Sequence, residues 1–207
     1  MTAATLFYFL CASVALTLAP GPDNIFVVTQ GITRGRRAAI VTALGMCSGI
    51  SVHTTAAAFG ISAVFYSSVI AFNVVKYAGA LYLLYLAFKT LRERSVIKLP
   101  LADDRPDAVL FKRGFIMNVL NPKVALFFLA FLPQFITPNT DFFPVQMLLL
   151  GILFMMQAVV IFCLIGYFSG SIGRLILTRP KAAKLFDWLT AGVFASLGLQ
   201  LALAERG

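Results

Sequence analysis

Charge is scarce in this sequence. Asp, Glu, Lys and Arg make up 12% of its 207 residues, against about 25% in soluble domains. Acids are the scarcer sign, with 8 Asp and Glu against 17 Lys and Arg, for a net charge of +9. There are only one histidine, one tryptophan and three cysteines. With a single His and no Cys-x-x-Cys pair, a metal site is not expected. Cys11, Cys47 and Cys163 each fall inside an apolar run, where a small buried residue is expected. No G-x-x-x-x-G-K-[ST] phosphate loop, no Ser/His/Asp set and no paired carboxylates occur. These absences exclude ATP hydrolysis by the chain alone and leave no reactive set for an enzyme. Neither a cofactor nor a metal is expected. The basic excess lies in short loops, not on a patch with base-reading residues, so nucleic acid is not an expected partner.

What is abundant is apolar surface. The chain is 60% hydrophobic, with a mean hydropathy of +0.90. The expectation is an all-α polytopic protein in a lipid bilayer, without room for a sizeable soluble domain. Six apolar spans are read, at residues 5–31, 39–65, 69–91, 114–136, 145–173 and 183–204. Each is long enough for a hydrocarbon core that takes about 20 helical residues. Five spans and one re-entrant segment is the alternative count. The N-terminus has no basic n-region or clear cleavage site, so it is read as part of a retained first span.

Arg34, Arg36 and Arg37 follow the first span. Lys89, Arg92, Arg94, Lys98, Arg105, Lys112 and Arg113 lie between the third and fourth. Arg174, Arg179, Lys181 and Lys184 lie between the fifth and sixth. The alternate loops, near residues 66–68 and 137–144, carry no Lys or Arg. By the positive-inside rule, loops 1–2, 3–4 and 5–6 face the cytoplasm and both termini face outward. The hydrophilic stretch at 92–108 is a cytoplasmic linker between two three-helix halves of opposite orientation, residues 1–91 and 109–207.

The opening span of each half is broken. Pro20-Gly21-Pro22-Asp23-Asn24 interrupts the first, and Asn121-Pro122-Lys123 the fourth. Proline removes a backbone donor and clashes with the preceding turn. Broken backbone at membrane depth is tolerated only in protein or beside a wet cavity. Interrupted segments at matching positions of two halves point to a transport site. Asp23 is eleven residues before Arg34 and Lys123 ten after Arg113. At 1.5 Å per residue both lie about 15 Å into the span, near the middle of a core about 30 Å thick. Two readings stand side by side. Asp23 caps the helix that resumes after Pro22, with Lys123 pairing with it or snorkelling. Alternatively the site takes a zwitterion, its ammonium at Asp23 and its carboxylate at Lys123 and the free N–H groups of the resuming helices.

His53 continues the pattern Gly45-x-x-x-Gly49-x-x-x-His53, which sets all three on one helix face. It is either hydrogen-bonded to neighbouring backbone or a proton relay, since His changes charge near neutral pH. Gln30, Asn118 and Gln157 either line a cavity or bond between helices. The packing glycines permit a homodimer without requiring one.

Taken together, Pro20-Gly21-Pro22-Asp23-Asn24, Gly35-Arg36-Arg37, Gly45-x-x-x-Gly49-x-x-x-His53, Gly79-Ala80-x-Tyr82-Leu83, Asn121-Pro122-Lys123 and Leu132-Pro133-Gln134-Phe135 resemble the lysine exporter superfamily, of the LysE/RhtB type. The resemblance implies a bacterial inner-membrane secondary transporter that exports an amino acid by proton exchange. It implies substrate-binding residues Pro20, Gly21, Pro22, Asp23, Asn24, Asn121, Pro122 and Lys123. Asp23 and His53 are the expected proton-coupling groups. No second acid stands by to hold a basic side chain, which favours a neutral or hydroxylated substrate such as threonine or homoserine. A passive small-solute channel and a scaffold subunit of a membrane complex are the alternatives.

Overall fold

The computed structural model describes residues 2–19, 21–61, 69–92, 106–136, 142–178 and 180–203. Those residues are almost all helical and contain no strand. The first span is two helices, α1 (Ala3–Leu18) and α2 (Pro22–Arg34). The second is α3 (Arg36–Ala56), which ends in a π-helical turn at Ala57–Ile61. The third is α4 (Val69–Arg92). The fourth comprises α5 (Asp107–Val119) and α6 (Pro122–Leu126), the latter prolonged by a π turn at Phe127–Phe131 and a 3₁₀ turn at Leu132–Phe135. Then follow α7 (Phe143–Tyr167), α8 (Ser169–Thr178) and α9 (Pro180–Leu203). Four helices are long and apolar enough to cross a membrane by themselves, or six spans if each bent pair counts as one. The second bent pair turns by 46° between Val119 and Pro122. The protein is an all-α polytopic membrane protein.

Two expected boundaries differ. The run at 145–173 is not one helix: α7 stops at Tyr167 and α8 starts at Ser169 after a turn at Phe168. Gly166 and Gly170, poor helix formers, flank that turn. The fourth span begins at Asp107, because Pro106 fixes the helix start and the acid favours the first turn. Residues 62–68, 93–105 and 137–141 lie outside the described residues, and with them most of the expected linker and of the two neutral loops.

Apolar residues cover the outside and much of the core, and the buried polar residues gather within it. On α7, Val145, Leu149, Ile152, Met156, Val160 and Leu164 are exposed, while Met147, Leu150, Phe154, Ala158 and Phe162 are buried. Steps of three and four residues make this a helix with one stripe for lipid and one for protein. Buried polar residues include Ser13, Thr17, Asp23, Asn24, Gln30, His53, Asn118, Asn121 and Lys123. In hydrocarbon such groups have no water to turn to, so they gather inside.

Glycines set the closest approaches. A Cβ on Gly45 would run into the Phe111 backbone, and one on Gly114 into the Thr42 carbonyl. Helices α3 and α5 therefore touch backbone to backbone, as small residues allow in membranes. Replacing Gly45 by Val should cost at least about 1–3 kcal/mol, the usual range for overpacking. A lowered unfolding midpoint in detergent would register it; an unchanged midpoint would show that α5 is free to retreat.

The starts of α3 and α5 and the end of α7 meet at one corner. Arg37 Nη2 lies 2.8 Å from Asp107 Oδ2, joining the start of α3 to the start of α5. The Arg36 guanidinium lies 4.3 Å from the Tyr167 ring centroid, joining the same corner to the end of α7. With its arginine 86% exposed, the first contact adds little stability, but it holds the starts of α3 and α5 together.

Candidate functional site

The two helix breaks meet inside the protein. At the first, α1 ends at Leu18 and α2 begins at Pro22, with Gly21 as an extended N-cap that offers no side-chain cap. Pro22 suits the first helical position, where its missing N–H is not needed. Asp23 therefore sits inside the first turn of α2 and does not cap it. Its carboxylate still gains from the positive end of that helix. Pro20 lies outside the described residues. At the second break, Asn121 is the cap: its Oδ1 accepts from the Lys123 N–H at 3.0 Å, and Pro122 again starts the helix.

Lys123 binds these breaks together. Its Nζ lies 2.9 Å from Asp23 Oδ2, with both side chains at most 4% exposed. It also donates to the Leu16 carbonyl at 3.2 Å and the Ala19 carbonyl at 3.1 Å. A cation at the start of α6 faces an unfavourable helix dipole, but at the end of α1 it meets the negative pole of another. An ammonium has three N–H groups, and here all three are engaged. Asn24 serves α1 too, its Nδ2 donating to the Thr17 carbonyl at 3.0 Å. The last turn of α1, whose carbonyls lack helical partners, is thus satisfied from α2 and α6.

The leftover atoms are mostly acceptors. Asp23 Oδ1 and Asn24 Oδ1 are buried without a hydrogen-bond partner. Because a carbonyl only accepts, the bond to Thr17 O fixes the Asn24 amide with its Nδ2 toward α1 and its oxygen away. Gly21 keeps the neighbourhood open: a Cβ there would stand 2.5 Å from Asp23 Oδ1 and 3.2 Å from Lys123 Nζ. Gly21→Ala should therefore displace the carboxylate and slow turnover about tenfold or more, as misplaced groups do. Transport by a folded variant at the native rate would show that the space beside Oδ1 is not used.

His53 stands at the other side of the second break. Its Nε2 is 3.0 Å from the Asn118 carbonyl, which also accepts from the Asn121 N–H at 2.9 Å and has no α-helical donor because Pro122 stands four residues on. That carbonyl only accepts, so Nε2 carries the proton. The Phe128 ring lies 6.0 Å away. Of the expected site residues, the structure brings Gly21, Asp23, Asn24, Asn121 and Lys123 around the joined breaks, with Pro22 and Pro122 starting the helices. His53 reaches the backbone of the second break and makes no bond to Asp23 or Lys123.

Two features were not foreseen. Ser13 and Thr17, one turn apart on α1, are buried beside the break; Thr17 Oγ1 donates to Ser13 O at 2.8 Å and accepts from Gln157 Nε2 of α7 at 2.9 Å. Their four-residue spacing was visible, but hydroxyls often bond within their own helix. The second is an aromatic cluster beyond the break, where Phe9 meets Phe135 at 5.4 Å and Phe127 and Phe128 each meet Phe154 at 5.2 Å. The π turn at Phe127–Phe131 turns these rings inward; such turns are frequent at functional sites. At the opposite end, a Cβ on Gly31 would collide with the Ser169 side chain and one on Gly173 with Ile32, so α2 and α8 close tightly.

Residues 14–205 match the LysE type translocator family. The homoserine/homoserine lactone efflux protein of Salmonella typhimurium is 32% identical, over the whole of both chains. The leucine efflux protein of Klebsiella pneumoniae is 33% identical over 95% of this chain and 94% of its own. An uncharacterized membrane protein of Vibrio cholerae is 30% identical over 95% of this chain and 96% of its own. No solved structure matches. A buried ion pair where two broken spans meet thus sits in a chain whose sequence matches translocators end to end, and this multi-pass membrane protein belongs to the LysE type translocator family.

Proposed function

We propose that the chain exports a neutral, hydroxyl-bearing amino acid across the bacterial inner membrane in exchange for protons. The observation that carries the reading is the Asp23–Lys123 pair, buried between two helix breaks with Asp23 Oδ1 left unpartnered. An amino acid's ammonium supplies the donor that Oδ1 lacks. As it binds, Lys123 releases the α1 carbonyls and turns N–H groups to the substrate carboxylate, helped by the amides that open α2 and α6. A proton on Asp23 competes with the ammonium, so the two cross in opposite directions. His53, holding the second break through Asn118, is the second coupling group.

The two halves, residues 1–91 and 109–207, rock about this site, joined by the linker at 92–108. In support, matching spans pack on one another: α3 on α7 and α4 on α9, with Lys123 of the fourth on the carbonyls of the first. The face that carries Arg36, Arg37 and Asp107 is the cytoplasmic one, and both termini lie outside. The phenylalanine cluster closes the outer path and the α2–α8 contact the inner one. A second copy fits along α9 at Gly192, where an added Cβ would meet nothing within 4 Å among the described residues.

The test is efflux of radiolabelled homoserine, threonine, leucine and lysine from proteoliposomes with and without an imposed pH gradient. The reading expects homoserine or threonine to leave fastest, accelerated by the gradient. Flux indifferent to the gradient would mean a passive channel. No flux of any amino acid from folded protein would leave the scaffold alternative.

A further inference from the structure

We propose that Ser13, Thr17 and Gln157 form the subsite for the substrate's side chain, and that it selects a hydroxyl over an apolar group of the same shape. This rests on the amino-acid export reading and adds to it the residues that choose among amino acids. The hydrogen bonds leave little freedom. The Thr17 hydroxyl gives its one proton to Ser13 O at 2.8 Å, so toward Gln157 it can only accept. The Gln157 amide must then present Nε2 to Thr17, as it does at 2.9 Å, and turn its oxygen elsewhere. Gln157 Oε1 and Ser13 Oγ are both buried atoms without a partner, and Ser13 is wholly enclosed.

The position suits a side chain. Thr17 O receives Asn24, and the neighbouring Leu16 O receives Lys123, so the subsite and the ion pair share the last turns of α1. Ser13 lies one turn from Thr17, about 6 Å along the axis, within reach of a hydroxyl a few bonds from the ammonium. A substrate hydroxyl gives a proton to Gln157 Oε1 and accepts one from Ser13. A methyl in its place leaves both unpaired, and sites built to bond a hydroxyl reject analogues that lack it far better than apolar pockets reject extra bulk. Gln157 also lies near the middle of α7, where an amide needs a reason to be.

The test compares homoserine with norvaline, in which a methyl replaces the hydroxyl at equal length. Efflux of each from proteoliposomes is measured below saturation for the native protein, Gln157→Leu and Ser13→Ala. The native protein should favour homoserine at least about tenfold, and each variant should bring the ratio toward one. Equal native rates for the two would overturn the subsite. So would variants that lose both fluxes in parallel, because a merely structural role lowers the rate without changing the ratio. A folded native protein that moves neither of these, nor threonine, leucine or lysine, would overturn the export reading itself, and the subsite with it. Movement of amino acids with an unaltered homoserine-to-norvaline ratio would overturn the subsite alone.

Discussion

Lys123→Ala should be the most damaging single substitution in the protein. It removes the ammonium that Asp23 Oδ2 accepts from at 2.9 Å, and the two donors that satisfy Leu16 O and Ala19 O. The carboxylate would remain enclosed and uncompensated. Breaking a buried pair from one side costs about 3–5 kcal/mol, and the orphaned carbonyls of α1 add to that. The unfolding free energy, followed by denaturant titration in mixed micelles, should fall by at least this amount. The double variant Asp23→Leu/Lys123→Met should recover much of it, since apolar replacement of a whole buried pair is often neutral. Neither variant should transport. A single variant as stable as the native protein would mean that Asp23 reaches water when Lys123 is gone.

Asp23→Asn should separate function from folding. The amide keeps the shape and one acceptor oxygen for Lys123, whose other two bonds are to backbone and do not change. Stability should fall because the buried ammonium loses its counter-ion, but by less than for Lys123→Ala, since every N–H of Lys123 keeps an acceptor. The group can no longer bear a negative charge or exchange a proton. A hydrogen bond to a charged group contributes about 1.5–3 kcal/mol, so losing it from the substrate ammonium should reduce efflux about ten- to hundredfold. Efflux of labelled homoserine by folded variant protein is the measurement. Native efflux would remove Asp23 from the site.

The breaks were legible because proline allows no other reading. Pro22 and Pro122 stop one helix and start the next, and counting residues from the basic loops put Asp23 and Lys123 at one depth. Their pairing follows from depth only if both breaks face inward, which the sequence leaves open and the 2.9 Å contact settles. The glycine pattern ending at His53 predicted a packed seam, and α3 does lie against the α5 backbone there. His53's acceptor was not legible, because nothing in the sequence tells which backbone carbonyl of another helix, here that of Asn118, will lie beside the ring. Ser13, Thr17 and Gln157 were obscure for another reason. A lone polar residue in an apolar run carries no mark of which distant helix holds its partner. The split at Phe168 has no proline to mark it, and the glycines and serines after it read equally well as the small residues of a packed span.

The most direct test of the exchange is to watch the protons themselves. Weakly buffered proteoliposomes holding a pH-sensitive dye are loaded with homoserine and diluted into medium without it. Proton exchange predicts that the lumen acidifies as homoserine leaves through the native protein, and that Asp23→Asn slows the homoserine signal about ten- to hundredfold and removes the acidification that goes with it. Homoserine leaving through the native protein at unchanged luminal pH would contradict the account, and would make the Asp23–Lys123 pair a binding site without a coupling role.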